Sequence, residues 1–246
     1  MCSMPAPKNV RIRLQFAKRG DLRFLSHHDL MRLFERMMRR AAIPMAMTQG
    51  FNPRMRIVFA LALGLGIESE RELVDLELSS DMDLATLLDA LRAESPPGLL
   101  FLNAQHVVPA HPARLVSAGY GLDLPESRLA TARQALDSFH AKDSCLITRR
   151  REDRSRSIDL RASVIEAELR GSRLSFRLRV ASEGSARPEE FLEALGLREL
   201  LDSGSILVRT GLELAPDSPS QAPRSELARL LQDNPTPTAA AVEESA

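Results

Sequence analysis

The chain has 246 residues, 44% of them hydrophobic and 27% charged, the composition of a globular protein long enough for one large domain or two small ones. No apolar run reaches the ~20 residues needed to span a bilayer, the start lacks the apolar core of a secretory signal, and Cys2 and Cys145, with no CxxC between them, make no disulfide framework; a cytoplasmic protein with reduced thiols and no membrane contact is expected. Lys+Arg and Asp+Glu both number 33, and this balance conceals blocks: residues 1–60 hold 12 basic and 3 acidic side chains, 61–140 hold 5 and 12, 141–182 hold 11 and 6, and 183–246 hold 5 and 12.

The first element is "VRIRLQFAK", Val10 to Lys18. Val10, Ile12, Leu14 and Phe16 alternate with Arg11, Arg13 and Gln15, which predicts a half-buried strand with a basic outer face. From Asp29 to Ala42 the period changes. Leu30, Leu33, Phe34, Met37, Met38 and Ala41 form a helical stripe, with Arg32, Glu35, Arg36, Arg39 and Arg40 opposite. Ser26 and Asp29 have the spacing of a capping box, which places His27 and His28 at the first two helical positions. Ile43–Pro44 ends the helix, because a residue before proline avoids helical angles. "MRIVFALAL" and "RELVDLEL" read as strands, "DLATLLDALRA" as a helix and "LLFLNAQHVV" as a strand. The order βαββαβ over residues 9–110 predicts an α+β domain of ferredoxin-like type, with two helices on one face of a four-stranded antiparallel sheet.

A second ferredoxin-like half is expected over residues 115–214. Its elements are strand "AGYGLDL", helix "ESRLATARQALDSF", strands "SCLITRR", "SIDLRASVIEAELRG" and "RLSFRLRVA", helix "RPEEFLEALGL" and strand "SILVRTGLEL". That is the same plan with one extra strand. Residues 215–246, rich in Pro, Ser, Ala, Glu and Gln, are expected to be a disordered tail with one short helix at "RSELARLLQ".

Three stretches carry chemistry. Arg32, Arg36, Arg39 and Arg40 fall within nine residues at spacings that share a helix face. Glu35 is the only acid among them, and guanidinium groups suit bidentate phosphate binding. A solvated helix face accounts for the same pattern. "TQGFNPRM" reads as a shaped turn: Gly50 tolerates positive φ, and Pro53 holds Asn52 extended. With Gln49, Asn52 and Arg54, it either holds an anion or nucleotide or is only the entry to the next strand. "TRRREDRSRS" reads as a hairpin tip, with Arg149, Arg150 and Arg151 either clamping a phosphate backbone or forming only a soluble, charged turn. Arg11, Arg13, Arg54 and Arg56 would extend the positive surface.

His27 is the weak candidate for acid–base catalysis, since histidine titrates near neutral pH. Neighbouring helical positions diverge by about 100°, so His27 and His28 do not converge on one metal. "GLGIESERE" reads as a loop with Glu68, Glu70 and Glu72 clustered. There is no GxGxxG, P-loop or HExxH pattern. No cofactor, no metal and no catalytic residue are therefore assigned, and the chain reads as a binding protein rather than an enzyme.

The segment "FLSHHDLMRLFERMMRRAAIPMAMTQGFNPRMRIVFALALGLGIESERELVDLEL" resembles the radical SAM-linked (radical SAM-associated) protein family of bacteria. His27, Asp29, Arg36, Arg40, Gln49, Gly50, Phe51, Asn52, Pro53, Glu68, Ser69 and Glu72 keep that family's pattern. His28 stands where the family has an apolar residue, and Arg54-Met55 where it has His-Pro. Members of the family are fused to, or encoded beside, a radical SAM enzyme. The resemblance therefore implies an accessory role with a separate radical SAM enzyme as partner. This chain lacks CxxxCxxC and cannot itself hold the cluster by the usual three cysteines. Tandem ferredoxin-like modules with basic surfaces are also similar to RNA-binding proteins, CRISPR repeat-processing ribonucleases among them. The expectation is an RNA-binding accessory protein. A metal-independent endoribonuclease using His27, or a purely protein-binding adaptor for the radical SAM enzyme, are the alternatives.

Overall fold

The computed structural model describes residues 9–107, 113–151, 154–181 and 184–215. It is an α+β protein whose chain divides into two compact units between Ala113 and Arg114. The expected tail lies outside the described residues beyond Ala215, as does the helix at "RSELARLLQ".

The first unit runs β1 (Val10–Lys18), α1 (His27–Arg40), β2 (Ile57–Phe59), β3 (Glu68–Leu78), α2 (Leu84–Glu94) and β4 (Leu99–Val107). β1 pairs antiparallel with β3 and β4, and β2 pairs antiparallel with β3. The resulting order β4-β1-β3-β2 is compatible with a ferredoxin-like sandwich. The apolar phase of β1 explains the packing. Ile12, Leu14 and Phe16 lie in one buried cluster with Val74, Leu76 and Leu78 of β3, Phe34, Met37 and Met38 of α1, and Leu87 and Leu91 of α2. Phe34 is the hub: its ring centroid lies 5.2 Å from Phe16, 5.1 Å from Phe59 and 5.7 Å from Phe101, tilted or edge-on as aromatic quadrupoles favour.

Two boundaries differ from expectation. The strand expected over Met55–Leu63 shrinks to Ile57–Phe59. The apolar run "ALALGLGI" continues as loop, anchored by the buried side chains of Leu63 and Ile67, so burial without a strand period produced the longer reading. β3 starts at Glu68, so the "ESERE" acids lie on a strand rather than in a loop.

The second unit runs β5 (Leu115–Asp123), α3 (Glu126–His140), β6 (Leu146–Arg151), β7 (Arg154–Asp159), α4 (Leu160–Ser163), β8 (Val164–Arg170), β9 (Arg173–Arg179), α5 (Pro188–Ala194), α6 (Glu199–Asp202) and β10 (Val208–Leu214). Antiparallel pairing gives the order β10-β5-β9-β8. This repeats the first unit's arrangement, with the β6–β7 hairpin as a separate two-stranded ribbon. The strand expected over Ser157–Gly171 is broken. Asp159 Oδ1 accepts hydrogen bonds from Cys145 N and Arg161 N, both at 2.9 Å, and the chain turns through α4. Ile158, Leu160, Ala162 and Val164 keep a period of two across this break, which hid it from the sequence.

Candidate functional site

α1 is set by its ends. Ser26 Oγ accepts from Asp29 N at 3.2 Å and donates to Asp29 Oδ2 at 2.7 Å, the expected N-terminal cap. At the other end Ala42 takes φ 51°. Ile43 N donates to Met38 O and Ala42 N to Arg39 O, the paired bonds of a Schellman motif. His27 is half-buried, its ring 5.4 Å from Phe59 and nearly perpendicular to it. His28 is exposed, with its ring centroid 6.1 Å from that of His27. His27 thus extends the aromatic core at the helix start.

The arginines of α1 divide by partner. Arg32 reaches Asp29 at 3.5 Å and Arg39 reaches Glu35 at 3.8 Å, both across exposed helix turns. Arg40 spans from α1 to the end of α2, where its Nε meets Glu94 Oε2 at 2.5 Å and its Nη2 meets Glu94 O at 3.0 Å. It ties two helices together. Arg36 is exposed and has no carboxylate partner among the described residues.

The positive surface expected on β1 is absent. Arg13 is buried in a two-bond pair with Asp75 at 2.7 and 3.0 Å. Arg11 and Arg56 share Glu77 at 2.6 and 2.8 Å. The Arg11 hydrogen bond, helped by Arg56 and opposed by burial, holds the Glu77 carboxyl below its ordinary range. Sequence reasoning missed this neutralisation. The signal was present in the alternating Asp75 and Glu77, which register opposite Arg13 and Arg11.

The "TQGFNPRM" stretch forms a closed loop. Met47 and Met55 pair, Thr48 N donates to Arg54 O at 2.8 Å, and Arg54 N donates to Thr48 Oγ1 at 2.9 Å. Gly50 takes φ 128°, which favours glycine. Gln49, Gly50, Phe51, Asn52, Pro53 and Arg54 are all exposed, and Arg54 has no carboxylate partner among the described residues. From Arg36 to Ile67 the chain contains no Asp or Glu.

The expected acidic cluster disperses. Glu68 accepts from Gly20 N at 2.9 Å and stands 4.0 Å from Arg23, while Glu70 lies 3.9 Å from Arg19. Glu72 is buried and accepts the Ser69 hydroxyl. Among the described residues no three His, Cys, Asp or Glu side chains gather to hold a metal ion.

In the second unit, Arg149 is held by α5. Its Nε and Nη2 donate to Glu190 at 2.8 and 2.7 Å, and Nη2 also to Ser185 O at 3.1 Å. The Glu190 hydrogen bond raises the Arg149 pKa. Burial works against the Glu190 charge, but bonds from Arg149 and Arg187 N hold its carboxyl below the ordinary range. Arg149 registers opposite Arg156, which is exposed and without a carboxylate partner among the described residues. The side chains of Arg150 and Arg151 lie outside the described residues.

Together these features define an α+β protein with ferredoxin-compatible sheets and an acid-free arginine loop. The chain belongs to a bacterial family described as "Uncharacterized protein conserved in bacteria (DUF2344)", whose model matches residues 11–188. No curated protein matches the chain. A crystal structure of an unknown protein from Galdieria sulphuraria is similar over 85% of this chain and 99% of its own, at 11% identity and a TM-score of 0.28. No helix among the described residues is long and apolar enough to cross a membrane.

Proposed function

We propose that the protein is a cytoplasmic, non-catalytic RNA-interacting partner of a separate radical SAM enzyme, to which it presents a nucleic-acid substrate. The observation that carries this reading is the acid-free stretch from Arg36 to Ile67. Glu77 and Glu94 take up Arg56 and Arg40, and Glu35 lies near Arg39. Arg36 and Arg54 stay open to anions. Free guanidinium groups on an exposed helix face and a closed loop suit phosphate contacts, and such contacts set affinity without fixing sequence. Exposed Arg156 on β7 supplies a further contact of the same kind.

A protein-binding adaptor is favoured by a different observation. Gly66 N donates to Arg23 O at 2.8 Å, joining the short 3-10 helix Gly20–Phe24, which carries exposed Phe24, to the loop that carries exposed Leu65. Capture of partners by the tagged protein from native lysate, with and without nuclease, separates the readings. RNA in the captured material, with nuclease releasing it and any enzyme bridged by it, is expected. Protein capture that survives nuclease and high salt, with no RNA recovered, would replace the first reading by the second.

A further inference from the structure

We propose that the tip of the Thr48–Arg54 loop is a stacking platform for one unpaired RNA base, with Phe51 as the ring and Arg54 as the adjoining phosphate contact. The proposal rests on the RNA-binding reading and specifies what that surface takes. Phe16, Phe34, Phe101, Phe176 and Phe191 are at most 2% exposed, whereas Phe51 is 106% exposed. An isolated exposed apolar side chain is ordinary. Here the surroundings give it meaning. The loop base is closed by two hydrogen bonds and the Met47–Met55 pairing, so the ring is presented at a small further cost in chain entropy.

The chemistry around the ring selects the occupant. Gln49 and Asn52, two and one positions from it in the same exposed loop, carry amides that both donate and accept, the groups that read base edges. Arg54 is exposed and lacks a carboxylate partner among the described residues. No acidic residue lies within the stretch to repel a phosphate. A planar apolar face beside amides and a cation matches a nucleotide, and a base inside a duplex has no free face to offer. Unpaired RNA is therefore the expected ligand. A lipid surface would call for a broader apolar tip than Phe51 with partly exposed Met47.

The chain contains no tryptophan and one tyrosine, so Phe51→Trp creates a sole tryptophan at the tip, excited selectively at wavelengths tyrosine does not absorb. Titrating this variant with a short single-stranded oligoadenylate should quench its emission to saturation, whereas a fully paired RNA duplex should quench it little. Phe51→Ala in the otherwise native chain should weaken oligoadenylate binding by about 5- to 150-fold, the range that base-on-aromatic stacking supports. Binding of both RNAs with no quench and no effect of Phe51→Ala would overturn the platform and leave the RNA reading standing. Failure of the native chain to bind either RNA at low salt would overturn both. A blue shift with phosphatidylglycerol vesicles and none of the RNA response would replace the platform with a membrane-seeking tip.

Discussion

Ser26, Ala42 and Asp75 each act through a contact small enough to test by one substitution. Ser26 satisfies an orphan N–H of the first turn of α1 and fixes Asp29 beside it. Ser26→Ala should cost about 1 kcal/mol, read as a lower urea midpoint with an unchanged slope. Ala42 holds a left-handed conformation at φ 51°, where a Cβ is strained. Ala42→Gly should stabilise the fold by up to about 1 kcal/mol, read as a higher urea midpoint, the relief exceeding the added freedom of the unfolded chain. Asp75 neutralises Arg13, whose side chain is only 1% exposed. Asp75→Leu strands a buried guanidinium and should cost about 3–5 kcal/mol, while Arg13→Met with Asp75→Leu should recover most of that loss. A double variant as unstable as the single one would show that the pair's value lies elsewhere.

Elements whose pattern is local were legible; those held by long-range polar contacts were not. α1 could be read because a capping box, an apolar stripe and Ile43–Pro44 agree on its limits. The arginines of β1 could not be placed, because their neutralisation depends on which strand lies alongside. Arg13 and Asp75 are separated by 62 positions. The same limit applies to Arg149, whose partner Glu190 lies 41 positions away on α5. That pair links the β6–β7 ribbon to α5, and the ribbon's docking is expected to depend on pH. Glu190 is more readily ionised in the folded chain than in the unfolded one. Its contribution is therefore complete above the ordinary carboxylate range and lost as pH falls through the lowered folded value. Hydrogen exchange should show the β6–β7 amides protected at neutral pH and less protected at strongly acidic pH. Glu190→Gln should weaken their protection at neutral pH and flatten this change.

On the scale of the whole molecule, hydrophobic periodicity foretold the α+β class and the two-helix, four-strand plan of the first unit. It missed the break at Asp159, where a side-chain cap interrupts a period that the apolar residues preserve. The basic surface is narrower than its sequence pattern. Of the basic residues that the sequence offers in the first unit, Arg11, Arg13, Arg40 and Arg56 are engaged by carboxylates. Arg36 and Arg54 are left for a partner, with exposed Phe51 in the same loop as Arg54. The proposed role requires Arg36 and Arg54 to bind the phosphate backbone of RNA. It is tested most directly by the affinity of the full chain for single-stranded RNA across a salt series. A linear fall of log affinity with log salt is expected, and Arg36→Ala and Arg54→Ala should each reduce the slope by about 0.7. An affinity that does not change with salt, or no binding at the lowest salt, would contradict it.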